Sequence, residues 1–185
     1  MDREARFRAL FDTAYAPLCR YARHRGMAGA DAEDLVAQTL EIAWRRLEDV
    51  PVAEPLPWLY AVARNLRRNQ VRQVLRRSEI LARYRASAPA AACDDPAGLE
   101  PGVLRAAMAS LSEGDQEVLR LVAWDGLTPA EVAIVLDCTA VAARSRLHRA
   151  RTRLAARLGL DTGPQRRARS EQAPGDGLDF TEAPQ

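Results

Sequence analysis

Apolar residues along this chain recur at steps of three and four, and alternation of period two is nearly absent. The pattern predicts helices near residues 3–24, 32–48, 57–77, 101–110, 114–124, 129–136 and 140–158, with strand signals almost missing. Between the third and fourth of these lies ASAPAAACDDPAGLEP, rich in alanine and proline, which reads as a tether. After Leu160 the segment is polar and rich in proline and glycine, the composition of a disordered tail. The expected fold is therefore all-α: two small helical domains joined by a flexible linker. Their limits are residues 1–77, a linker over 78–100, a second domain over 101–160, and a tail over 161–185.

The sharpest local pattern is TPAEVAIVLDCTAVAARSRLHRARTRLAARL, Thr128 to Leu158. Thr128 and Pro129 supply a hydroxyl cap and a proline at the first helical position. Val132, Ala133 and Leu136 share one face, and Ala133 is small enough for a second helix to cross closely. Asp137-Cys138 forms the turn, and Thr139 caps the next helix. Glycine often occupies such a turn; aspartate tolerates the left-handed conformation better than most residues. In the second helix Ala143, Leu147, Ala150 and Leu154 form a buried stripe. Winding at about 100° per residue puts Val141, Ser145, His148 and Thr152 opposite that stripe, flanked by Arg144 and Arg149. This is a helix-turn-helix whose second helix has the form to enter a DNA major groove. An ordinary two-helix hairpin with a solvated basic face is the plainer reading of the same segment.

The first half has its own surface logic. Asp31-Ala32-Glu33-Asp34 reads as a helix start with Asp31 as cap. Beyond it Leu35, Val36, Thr39, Leu40, Ile42, Ala43, Trp44 and Leu47 cover well over half the circumference, so this helix is central to its domain. Only a narrow strip stays polar, made by Asp34, Gln38, Glu41 and Arg45 with Ala37 among them. The strip either meets water or docks a partner. From Pro57 the next helix buries Leu59, Val62, Ala63 and Leu66. On its other side Arg64, Arg68 and Arg72 make a ridge of like charge, with Tyr60 and Asn65 beside it and Trp58 at the helix start. Repulsion along such a ridge is relieved by a polyanion, so phosphate binding is one physical use. Pairing with nearby acids is the other.

Composition changes the picture in three places. The formal charge of +2 conceals segregation: all 27 basic residues are arginine, while several acids gather near the C-terminus. Aromatic residues make up 5%, too few for a broad single-strand stacking platform. Cys19, Cys93 and Cys138 are far apart and unpaired in spacing, which supports neither a disulfide framework nor a zinc site. The charged N-terminus and the lack of a long apolar run predict a cytoplasmic protein with no membrane segment. Hydrolytic chemistry has no support: Ser145 and His148 share a helix, but no acid orients the histidine and no oxyanion-stabilising loop is evident.

Taken in order, DAEDLVAQTLEIAW (Asp31–Trp44), PWLYAVARNLRRNQVR (Pro57–Arg72), and LSEGDQEVLRLVAWDGLTPAEVA through SRLHRAR (Leu111–Arg151) resemble the extracytoplasmic-function sigma factors. These are the minimal two-domain bacterial transcription initiation subunits. The likeness spans roughly residues 6–77 and 101–158. It implies a non-enzymatic factor that binds core RNA polymerase, directs it to promoters and assists strand opening, without cofactor or metal. By position it assigns Asp34, Gln38 and Glu41 to core polymerase, and Arg64, Asn65, Arg68 and Arg72 to the minus-ten strand. The loop from Glu48 to Leu56 is assigned to a flipped base. Val141, Arg144, Ser145, Arg146, His148 and Arg149 fall to the minus-thirty-five duplex, where Arg144, Ser145 and His148 face base edges and Val141 a thymine methyl. Arg146, Arg149, Arg151 and Arg153 lie nearer the phosphates. The resemblance also implies an anti-sigma partner that masks one or both domains. The family commonly reads Gln-Glu-Thr-Phe where this chain has Ala37-Gln38-Thr39-Leu40, so the usual first amide is missing. A stand-alone helix-turn-helix regulator of duplex DNA is the alternative, and it leaves the first domain idle. A passive helical adaptor is a further one.

Overall fold

The computed structural model describes residues 2–81 and 101–160, with side chains as far as residue 73 and again from residue 102. Among the described residues there are α-helices and one 3-10 turn, and no strand. The order is α1 (Arg3–Arg23), α2 (Gly29–Arg45), the 3-10 turn (Leu47–Asp49), α3 (Pro55–Leu81), α4 (Pro101–Ala109), α5 (Glu113–Ala123), α6 (Pro129–Leu136) and α7 (Ala140–Arg157). The expected tail and residues 82–100 of the expected linker lie outside the described residues. Residues 78–81 belong to α3 instead of the linker, because no glycine or proline interrupts the chain before Pro89.

α1, α2 and α3 pack mutually, and α5 and α6 pack around α7 with α4 against its other end. α1 contributes Leu10, Ala14, Leu18, Tyr21 and Ala22 to the core, a stripe with helical spacing. α2 contributes Leu35, Val36, Leu40 and Ala43, and α3 contributes Leu59, Tyr60 and Ala63. Buried Thr39 fits this apolar layer because its hydroxyl donates to the Leu35 carbonyl oxygen at 2.7 Å. Two expectations for α2 are corrected. Its first residue is Gly29, at φ +55°, so Asp31 sits inside the first turn and does not cap; Ala28 holds the cap position without a side-chain bond. Trp44 is not core: its ring is 36% exposed, packed edge-on against Phe7 and beneath the Arg3 guanidinium.

The two helical groups touch. α6 packs along α3, and the buried residues of both groups form one continuous cluster. At the seam lies an ionic knot centred on Arg25, in the turn after α1. Its side chain is 0% exposed, and those of its partners Glu117 and Asp125 are 4% and 1% exposed. Arg25 Nε donates to both Glu117 oxygens at 3.2 and 3.1 Å, Nη2 donates to Oε1 at 3.0 Å, and Nη1 donates to the Tyr21 carbonyl oxygen at 3.0 Å. Nη2 also lies 2.9 Å from Asp125 Oδ2, a charge contact that lacks hydrogen-bond geometry. The guanidinium lies 3.4 Å from the centre of the Tyr21 ring, and Tyr60 stacks with the same ring at 5.0 Å. Tyr21 Oη donates to Glu117 at 3.3 Å, and His24 Nδ1 lies 3.2 Å from Asp125 Oδ1.

Burial pushes the Glu117 carboxyl up, but Arg25, with Arg67 and Arg64 behind it, more than offsets this and leaves its pKa below the ordinary value. Burial, reinforced by the Asp125 charge, pushes the Tyr60 hydroxyl up to about 12. A carboxyl with a lowered folded pKa contributes stability that is complete above its unfolded value, about 4.3, and is lost as the pH falls through the folded value. Glu117→Gln should therefore flatten the loss of stability as the pH falls below about 4.3, followed by urea denaturation at a series of pH values. An unaltered slope would show that Glu117 is not charge-paired in the folded chain.

Candidate nucleic-acid interface

The helix-turn-helix is built by α6 and α7. Thr128 opens α6 with a complete capping box: its Oγ1 accepts from the Glu131 amide at 3.3 Å, and Glu131 Oε2 accepts from the Thr128 amide at 2.7 Å. α6 ends at Asp137, which takes the left-handed conformation at φ 51°, ψ 59°. The next amide, of Cys138, returns to the Ala133 carbonyl oxygen at 3.0 Å and closes the turn. Thr139 then caps α7 by accepting from the Ala142 amide at 3.2 Å. Ala143, Leu147 and Ala150 are buried, with Leu154 half-buried, and Ala133 is buried on α6, which packs against α7.

The opposite side of α7 is open. Val141, Arg144, Ser145, Arg146, His148 and Arg149 are all exposed, Val141 at 68%. Arg149 Nε donates to the Ser145 carbonyl oxygen at 3.3 Å, which steadies its stem along the helix. Arg153 departs from expectation. Its Nη1 donates to both Asp115 oxygens at 2.9 and 2.7 Å, so it ties α7 to α5. Asp115 stands ready for it because it also takes part in the Ser112 cap of α5.

The ridge on α3 is split. Asn65, Arg68 and Arg72 are exposed, whereas Arg64 is half-buried at the seam. Burial, with Arg68 alongside, lowers the Arg64 pKa, and Glu117 works against that shift. Tyr60 is buried against Tyr21 and does not flank the ridge: the incoming second group covers the side of α3 on which it lies. On the same covered flank Arg67 Nη2 pairs with Glu113 at 2.9 Å and lies 3.9 Å from Glu117. Sequence reasoning passed over Arg67 because its partners are 46 and 50 residues away, and no local spacing reveals such pairs.

Two surface hollows lie on the first helical group. One, of about 370 Å³, is lined by Arg6, Thr13, Val50, Pro51, Val52 and Ala53, so the loop expected to receive a base does border a pocket. Arg6 Nη2 donates to the Val50 carbonyl oxygen at 2.9 Å and fixes the wall of that loop. Asp34, Ala37, Gln38 and Glu41 are all exposed along α2, with Glu41 paired to Arg45 one turn on. Beside Glu41 an apolar groove runs between Phe7, Phe11 and Trp44. Phe7, Phe11 and Tyr15 repeat every fourth residue of α1, a stripe visible in the sequence but not singled out, and Phe11 and Tyr15 remain 40% and 44% exposed. No described helix is long and apolar enough to cross a membrane.

A helix-turn-helix with a free basic face, in a chain whose other half carries a second basic helix, defines a two-part DNA-binding protein of all-α type. Residues 10–77 match the Sigma-70 region 2 family, and residues 102–154 match Sigma-70, region 4. The chain is 32% identical to the RNA polymerase sigma factor CnrH of Cupriavidus metallidurans, over 78% of this chain and 82% of that protein. It is equally 32% identical to the ECF RNA polymerase sigma factor SigL of Mycobacterium tuberculosis, over 78% and 84%. Its fold resembles that of the sigma factor RpoE solved in complex with the anti-sigma factor NepR from Bartonella quintana, at 25% identity and a TM-score of 0.65, over 84% of this chain and 98% of that one. The chain belongs to the extracytoplasmic-function RNA polymerase sigma factors, and is a transcription initiation factor. The match of the first half to region 2 does not favour a regulator of duplex DNA that works without polymerase.

Asp137 sets the angle at which α7 is presented, and left-handed backbone costs most L-residues roughly 1–2 kcal/mol. Asp137→Gly should leave stability unchanged or raise it by up to about 1 kcal/mol, whereas Asp137→Val should lower it by at least that much. Thermal melts of the two variants read the sign directly.

Proposed function

We propose that this sigma factor divides a promoter between its two helical groups, residues 1–77 and 101–160. The observation that carries the reading is the open basic face of α7, clear of every buried contact of its own domain. α7 enters the major groove of the minus-thirty-five duplex, with Arg144, Ser145 and His148 toward base edges and Val141 toward a thymine methyl. Arg146 and Arg149 hold phosphates on either side. In the first group Asn65, Arg68 and Arg72, joined by Arg64, hold the displaced minus-ten strand. The pocket under residues 50–53 receives a flipped base, whose unstacking costs a few kcal/mol. Core polymerase docks on Asp34, Gln38 and Glu41, with the aromatic groove of Phe7, Phe11 and Trp44 extending that surface. Ala37 contributes no side-chain hydrogen bond, so the apolar contact beside Glu41 takes a larger share of this interface than the family pattern implies.

In this reading the chain catalyses nothing, needs neither cofactor nor metal, and works in the cytoplasm beside the polymerase. The anti-sigma factor bound to the similar RpoE supports regulation of this chain by a partner of that kind.

A bidentate arginine–guanine contact discriminates by about 1–3 kcal/mol. Arg144→Ala should therefore lower affinity for the matched promoter more than for a scrambled one. Arg149→Ala should weaken both alike and reduce the salt dependence of binding by about one counterion. Electrophoretic titration of polymerase holoenzyme on both templates at several salt concentrations separates the two; equal losses for Arg144→Ala would remove it from base reading. For the docking strip, Glu41→Ala and Trp44→Ala should each weaken core association by about 1–2 kcal/mol with helicity unchanged. Fluorescence anisotropy against core polymerase measures this, and undiminished binding would move the interface elsewhere.

A further inference from the structure

The flank of α3 that bears Arg64 and Arg67 faces carboxylates of the second helical group. Arg67 is paired with Glu113 and approaches Glu117, Arg64 sits half-buried beside Glu117, and Arg25 is enclosed by Glu117 and Asp125. Acids of α5 and the turn after it thus contact a cation of α3 and one in the turn after α1. α6 lies over α3 in the same arrangement. Buried ion pairs contribute little net stability, since separation returns each charge to water. The ionic part of the seam specifies one closed register while adding little to the cost of opening it beyond that of the apolar contacts between α6 and α3.

We propose that Glu113, Glu117 and Asp125 form an intramolecular substitute for promoter phosphates that latches the chain shut over the strand-binding flank of α3, and that promoter engagement requires the latch to release. The inference rests on the assignment of α3 to the minus-ten strand. Release frees Arg67 to join Arg64, Arg68 and Arg72, so Arg67 is a further phosphate contact of the open state. The exposed face of α7 takes no part in the seam, and duplex recognition is independent of the latch.

The test uses the full chain with fluorophores on cysteines placed by Ala30→Cys and Leu160→Cys, both at exposed positions outside the proposed binding surfaces, the native cysteines being replaced by serine. Glu117→Gln with Asp125→Asn should change the energy transfer between the two groups. If about a tenth of the unmodified chain is open, affinity for a minus-ten single-stranded oligonucleotide should rise about tenfold. Unchanged duplex binding through α7 shows that the variant is folded. Glu113→Gln, at a side chain 66% exposed where folding is not at stake, should move both readings in the same direction by less. Unchanged transfer and unchanged oligonucleotide affinity in both variants would overturn the proposal. Altered transfer without a gain in affinity would overturn the masking of α3, and Arg68→Ala then locates the fault. Loss of polymerase-dependent strand opening in Arg68→Ala keeps α3 as the strand binder and condemns the latch; no loss condemns the assignment of α3 itself.

Discussion

Arg25 is a cation without water. Its guanidinium has an aromatic ring on one side, a carboxylate bonded through three contacts on another, and a second carboxylate at 2.9 Å. A charge so enclosed is tolerable only while every one of these groups stays in place. Tyr21 is held by the α1 core and by Tyr60, Glu117 by α5, and Asp125 by the turn between α5 and α6. The seam therefore coordinates elements from both halves of the chain. It sets where α6 meets α3, and so which cations of α3 face solvent. Which of the candidate residues on α3 are exposed is in this sense a consequence of one buried arginine.

The seam also separates the two proposed DNA-binding faces physically. α7 buries Ala143, Leu147 and Ala150 within its own group and keeps its arginines outward, independent of what α3 does. α3 buries one side against α1 and α2 and a second against α6, leaving a narrower exposed sector with Asn65, Arg68 and Arg72. Duplex recognition needs only a rigid helix with a free face, which the capping box, the left-handed Asp137 and the Thr139 cap provide locally. Strand capture needs cations that arrive at a surface already being opened, which is a different demand. One half of the chain answers the first with short-range structure, and the other answers the second through long-range contacts.

That contrast explains what could be read from the residues alone. The helix-turn-helix was legible almost in full, because caps, turn and stripe all depend on neighbours within four residues. The exposed strip of α2 was legible for the same reason, as were most of the helix limits. Trp44, Tyr60 and Arg153 were misplaced, each because its partner lies far away in sequence: Trp44 meets Phe7 and Arg3, Tyr60 meets Tyr21, and Arg153 meets Asp115. The Arg25 knot was invisible, since a lone arginine in a short turn carries no periodic signal. Its acids look like ordinary members of a solvated helix face. The continuation of α3 through residues 78–81 was missed on composition, although the absence of any helix breaker before Pro89 was on view.

The charge pattern gains its meaning only in three dimensions. A chain with 27 basic and 25 acidic residues has little net field to steer it toward DNA from a distance. Its affinity must come from local sectors where acids are absent, and the outward face of α7 is such a sector. On α3 the acids are not absent; they come from the other half of the chain and occupy Arg67 and the neighbourhood of Arg64. Moving those acids away uncovers cationic charge without any change in composition. On the proposed release, a nearly neutral protein presents two different electrostatic surfaces, one for each arrangement of its halves, and the carboxylates on α5 and the turn after it decide which is shown.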